Sequence, residues 1–158
     1  MAEPKADKPK ANIRFLFNVC NDIDEVRHFY TDLLGMEEDG YMNDENFGYL
    51  SYECEGGVYF MFFRADEKLP VLDEWASQPG WPGGTLEVNS WAIQIPYEDF
   101  AEVYEKLKGE GVTLFKPEPE WRQDSYWGLS VRDPMGNTVE VYATPKEKPA
   151  STTWNAVG

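Results

Sequence analysis

The chain repeats itself. Leu50-Ser51 returns as Leu129-Ser130, and Gly57 returns at the same offset as Gly136. Ahead of them, Asp22 and Asp99 hold matching positions, as do Glu25-Val26 and Glu102-Val103. An internal repeat constrains the fold more than any single motif, because each copy must form the same supersecondary unit.

The first copy opens on an apolar strand, IRFLFNVC. Asp22 suits the N-cap of a helix through DEVRHFYTDLLGM, whose Val26, Phe29, Tyr30, Leu33 and Leu34 share one face, and Gly35 suits its C-terminal cap. Three strand-like runs follow, MEEDGYM, FGYLSYE and VYFMFFR, divided by Asn43-Asp44 and by Gly56-Gly57. The second copy repeats the order. The strand NSWAIQIP precedes a helix through YEDFAEVYEKLKGEG with Phe100, Val103, Tyr104 and Leu107 as its apolar stripe, and strands follow at VTLFK, SYWGLSVR and NTVEVYA. The pattern predicts an α+β fold of two βαβββ modules, residues 12–64 and 87–144, in one domain spanning 12–144.

A connector, residues 65–86, joins the modules. It is long for a compact domain; a short helix is expected near residues 70–77, followed by the Gly/Pro-rich QPGWPGG. Residues 1–11 and 145–158 are polar and read as mobile tails. Trp154 is the one residue there suited to docking on the domain or on a partner subunit.

Charge narrows the partners. Fourteen basic residues against 29 acidic give a net charge of −15. Such a surface repels phosphate backbones and anionic lipid, so neither nucleic acid nor membrane is an expected partner, and it attracts cations. No apolar run approaches the roughly 20 residues of a membrane span. MAEPKADKPKAN has no apolar segment after its lysines, unlike a secretory signal, so a cytoplasmic location is expected. Cys20 and Cys54 lack CxxC or Cys/His spacing and read as two buried free thiols. His28 is the only histidine, which excludes a multi-histidine metal site within one chain.

The closing stretch RDPMGNTVEVY reads as a turn and a strand. Asp133 bonds its own turn, Pro134 pre-sets the next φ, and Gly136 or Asn137 tolerates a left-handed conformation. With period two, Val139 and Val141 face one side and Thr138, Glu140 and Tyr142 the other.

The βαβββ–βαβββ order, HFYTDLLGM closing the first helix and DPMGNTVEVY closing the last strand resemble the vicinal oxygen chelate superfamily, which includes glyoxalase, extradiol dioxygenases and bleomycin-resistance proteins. The resemblance covers roughly residues 12–144. It implies a curved mixed sheet around a shared cavity, and commonly a homodimer. In metal-dependent members, four side chains from the first and last strands of the modules converge on one divalent ion. Here the last-strand position of module two is Glu140, the only match. Its counterpart in module one is Met61, and the first-strand positions fall on Phe15 (or Arg14) and on Ser90 (or Trp91). Thioether, phenyl and hydroxyl groups are poor ligands for such an ion.

The residues present suit a binder better than a metalloenzyme. Tyr59, Met61 and Phe63 share one strand face; Glu140 and Tyr142 share another; Trp91, Trp121 and Trp127 are candidates to join them. Aromatic rings stack on planar groups and attract cations, at about 0.5 to 2 kcal/mol per contact. YWGLSVRDPMGN is similar to the closing motif of the bleomycin-resistance proteins, which sequester an antibiotic without metal. The expectation is a dimeric, metal-free binder of a small aromatic or cationic molecule, with no cofactor and no catalytic residue. Two alternatives stay open: a lyase or dioxygenase with one divalent metal ion at an atypical site, and a non-catalytic protein-interaction module.

Overall fold

The computed structural model describes residues 11–155. Module one runs β1 (Phe15–Cys20), α1 (Ile23–Arg27), β2 (Glu38–Asn43), β3 (Gly48–Cys54) and β4 (Val58–Arg64). Module two runs β5 (Ser90–Gln94), α2 (Tyr97–Gly109), β6 (Glu120–Arg122), β7 (Tyr126–Arg132) and β8 (Thr138–Ala143). The sheets have the same topology, β1-β4-β3-β2 and β5-β8-β7-β6, each with its first strand parallel to its last and the other pairs antiparallel.

The repeat survives in the register. Ser51 lies opposite Met61 in one sheet, and Ser130 opposite Glu140 in the other. Gly57 and Gly136 both turn their hairpins at positive φ, 76° and 81°. At Gly136 a side chain would strike the Leu72 carbonyl, so the left-handed turn and the passing connector both require glycine.

Local chemistry explains the first helix. The Asp22 carboxylate accepts from the amides of Asp24 and Glu25, and Asp24 and Glu25 add negative charge at the positive end of the helix dipole. After Arg27 the helix widens into a π turn over His28–Leu33, and Gly35 at φ 78° follows its end. Phe29, Tyr30, Leu33 and Leu34 are all buried there. α2 begins at Tyr97 behind Pro96, so Asp99 lies within the first turn, and no side chain caps it.

Each helix covers one face of its own sheet. Leu50, Tyr52, Phe60 and Phe62 are buried in module one; Leu129, Val131, Val139 and Val141 are buried in module two beside Phe100, Val103, Tyr104 and Leu107 of α2. Burying each aliphatic side chain contributes about 1.5–3 kcal/mol. The modules join through Tyr30. Its hydroxyl donates to Asp133 Oδ2 (2.7 Å) and accepts from Trp91 Nε1 (3.1 Å), while the Trp91 ring meets Phe60 edge-on at 5.1 Å.

Several expectations need correction. VTLFK is not a full strand: Leu114 alone bridges Val131, and β6 forms later, at Glu120–Arg122. Pro117 and Pro119 lie between the two pairings, and proline has no N–H to give to a ladder. No helix forms near residues 70–77. Those backbone groups bond to module two instead: Leu72 N–H to Met135 O, Arg132 to Asp73 O, and Ala76 N–H to Thr138 Oγ1. In the C-terminal segment the Trp154 ring packs edge-on against Phe100, Tyr104 and Trp127. Cys20 is buried, with its thiol pushed up to about 12 chiefly by burial, but Cys54 is only half-buried. The tail expected at residues 1–11 lies outside the described residues except for Ala11. Among the described residues, no helix is long and apolar enough to cross a membrane.

Candidate functional site

The face of each sheet turned away from its helix carries the candidate residues. On module one, β1 contributes Phe15, Phe17 and Val19; β4 contributes Tyr59, Met61 and Phe63; β3 contributes Tyr49, Ser51 and Glu53. Their rings form a continuous run, from Tyr59 to Phe15 (5.6 Å), Phe17 (5.8 Å), Phe63 (5.8 Å) and Tyr49 (5.6 Å), with Phe47 closing on Tyr49 and Phe63. Beneath it Met61 and Ser51 are buried. Among the described residues nothing covers the outer rings: Phe15 is 46% exposed and Phe17 64%. A cation already rests here, since the Arg14 guanidinium sits 5.1 Å from the Tyr59 ring centre.

The matching face of module two is covered over its β7–β8 centre, while Ser90 and Ala92 at its β5 edge are exposed. Ser90, Ala92, Gly128, Ser130, Thr138, Glu140 and Tyr142 line it, and Arg122 reaches across it from β6. The Arg122 side chain is 3% exposed. Its Nη1 donates to Ser130 Oγ (3.1 Å) and lies 3.2 Å from Glu140 Oε1; its Nη2 donates to Glu120 Oε2 (3.1 Å). The Glu140 contact is an ion pair without hydrogen-bond alignment, because Oε1 has no hydrogen-bond partner. A Cβ on Gly128 would lie 2.6 Å from Arg122 Cδ, so only glycine leaves room for this path. The Trp81 ring lies over the guanidinium at 4.4 Å.

The connector supplies that cover. Ser130 Oγ donates to Gln78 Oε1 (2.7 Å), and Trp75 and Trp81 pack on Phe115. A cavity of about 270 Å³ remains beside Glu140, lined by Ser77, Gln78, Pro79, Trp81, Ser90, Gln123 and Tyr126. Burial, with the Glu140 carboxylate adding to it, pushes the Tyr126 phenol up to about 12.

The candidates therefore separate. Tyr59, Met61 and Phe63 lie on the open face of module one, and Glu140 and Tyr142 on the closed face of module two. Trp91, Trp121 and Trp127 lie on neither; each turns to the helix side of its sheet. Trp91 packs on Tyr30, Phe60 and Phe62, and Trp121 stacks edge-on with Trp127, which meets Trp154. Strand phase decides this, because a residue one step along a strand changes faces. The sequence reading missed Arg122, Ser130, Gln78 and Trp81. One signal was present: Gly128 in the middle of a strand marks a close approach.

A divalent ion does not fit the residues here. Among the described residues, no group of three or more His, Cys, Asp or Glu could hold a metal. Across the strands, Phe17 flanks Met61 and Ala92 flanks Glu140, while Phe15 and Ser90 lie at the neighbouring position. Glu140 alone offers a charged donor, and Arg122 already occupies it. His28 lies elsewhere, between Asp32 (2.9 Å) and Glu110 (3.3 Å), which raise its pKa.

A larger cavity, about 750 Å³, has a different lining. It lies between α1, the connector and the β7–β8 turn. Asp133 on its wall is fully engaged by Tyr30, Asn137 and two turn amides, which identifies it as a structural carboxylate.

With this geometry in place, the comparisons with known proteins decide the family. The sequence profile of the Glyoxalase/Bleomycin resistance protein/Dioxygenase superfamily matches residues 13–141. The chain belongs to that superfamily. No curated protein sequence matches it. Among solved structures, a glyoxalase/dioxygenase from Nostoc punctiforme is 15% identical with a TM-score of 0.61, covering 92% of this chain and 99% of its own. The oxidase ChaP-H2 is 16% identical, TM-score 0.60, covering 86% and 95%. The fosfomycin resistance protein FosX from Listeria monocytogenes is 18% identical, TM-score 0.58, covering 89% and 97%. At such identities the likeness concerns the superfamily's fold, not its chemistry.

Proposed function

We propose that this superfamily member is a metal-independent binding protein that holds a small planar or cationic aromatic molecule on the open face of module one. One observation carries the reading: the unbroken run of rings from Tyr59 to Phe47, with Phe15 and Phe17 left uncovered by the described residues. A planar cation gains stacking and ring-quadrupole attraction there, and the net charge of −15 favours its approach. Sequestration, as in bleomycin resistance, is the concrete version. Binding is tested by calorimetric titration of acridine orange into the protein and into Phe17→Ala. Saturation weakened about 3- to 30-fold by the substitution, the equivalent of 0.5–2 kcal/mol, supports it. No saturation, or saturation indifferent to Phe17, sinks it.

A second copy of the chain is the other occupant proposed for this region. β1 is an edge strand exposed on both faces, with Leu16 at 46% and Phe17 at 64%, and such edges are ordinarily covered. Sedimentation equilibrium separates the two cases: a dimer that Phe17→Asp dissociates assigns the face to the partner.

A further inference from the structure

We propose that the Arg122 guanidinium is the resident cation of the module-two face, standing where a divalent ion would otherwise serve Glu140 and making that face independent of metal. Three observations carry it.

The first is charge. Glu140 on β8 and Glu120 on β6 approach the same guanidinium, at 3.2 and 3.1 Å. A carboxylate drawn into a partly buried face needs a positive partner or it takes up a proton. Arg122 supplies that charge covalently, together with directional donors that fix the Ser130 hydroxyl.

The second is access. A catalytic metal ion keeps an open position for water or a ligand, whereas a structural one is closed by its ligands. This cation keeps none. Its stem lies on the Gly128 backbone, the Trp81 ring covers it, and the side chain is 3% exposed. A metal ion would have to displace the guanidinium and leave it without Glu120, Glu140 and Ser130.

The third is the construction of the strand. The close approach works only because position 128 is glycine; the matching position of module one is Tyr49, whose hydroxyl donates to Ser51. Each module thus places one group over its central serine. Only in module two is that group a cation.

The proposal concerns the face that the aromatic ligand does not use, so its test is independent of dye binding. The full-length protein, purified without affinity metal, is titrated with Mn(II) and followed by water-proton relaxation, beside Glu140→Gln, Arg122→Ala and Arg122→Ala/Glu140→Gln. Circular dichroism verifies folding. The expected result is no Mn(II) uptake in the wild type that depends on Glu140, at least tenfold tighter binding in Arg122→Ala, and loss of that gain in the double variant. If Arg122→Ala does not fold, Gly128→Ala, which crowds the guanidinium without deleting it, is expected to gain Mn(II) affinity by a smaller factor. One Mn(II) per wild-type chain that Glu140→Gln removes overturns the proposal. A folded Arg122→Ala or Gly128→Ala that gains no Mn(II) overturns it as well.

Discussion

The two modules share a backbone and differ in what they place on it. In module one the central positions Ser51 and Met61 lie under a run of rings, Tyr49 among them, that the described residues leave open. In module two the equivalent positions, Gly128, Ser130 and Glu140, lie under an arginine and a connector that close over them. Several side chains separate the two outcomes: Gly128 stands where module one has Tyr49, Glu140 where it has Met61, and Arg122 where it has Asn43. Repetition therefore conserves the geometry of a position while leaving its chemistry free.

The largest effect is expected where the closed face is broken. Arg122→Ala leaves Glu120 and Glu140 without their counter-ion and should cost about 3–5 kcal/mol in urea denaturation. Tyr49→Phe, which removes only the hydroxyl over Ser51, should cost about 1 kcal/mol. Equal losses would erase the distinction between the faces.

Exchanging the central residues sharpens it further. Met61→Glu puts an unpaired carboxylate among buried rings and should cost about 2 kcal/mol at neutral pH. Burial raises that carboxyl's folded pKa above its unfolded value, so the loss should shrink as pH falls through the raised pKa. Glu140→Met should cost less than that, since Arg122 keeps Glu120 and Ser130. Denaturation at pH 7 and pH 5 measures both. Phe17→Ala should move stability by less than about 1 kcal/mol, because the ring is mostly in water, while removing a contact for the dye.

The smallest effect concerns His28, where α1 meets the end of α2. Asp32 and Glu110 raise its folded pKa above the ordinary value of 6.5. The contribution is therefore fully present below about pH 6.5 and lost as pH rises through the folded pKa. His28→Gln should remove that dependence, as read by thermal unfolding across pH 5–8.

Much of this was legible in the chain. Asp22 and Gly35 marked a helix by capping chemistry that acts within a few residues, and Gly57 and Gly136 marked matching hairpins by their need for positive φ. Val139 and Val141 turned inward, and Glu140 away, as period two requires. The errors fall where local rules meet distant partners. Pro117 and Pro119 split a strand whose flanks still pair. The connector has no helix, because module two takes up its backbone groups. Trp91, Trp121 and Trp127 looked like ligand-facing aromatics, yet each lies one strand step onto the core side.

The sequence by itself determined the repeat, the βαβββ order, and the caps and turns, because residue type and short-range spacing decide these. Only the tertiary structure decided that one module face stays open while the other is sealed by Arg122, Trp81 and Gln78. Those contacts join residues tens of positions apart, and no periodicity encodes which side chain crosses a neighbouring strand once a glycine makes room.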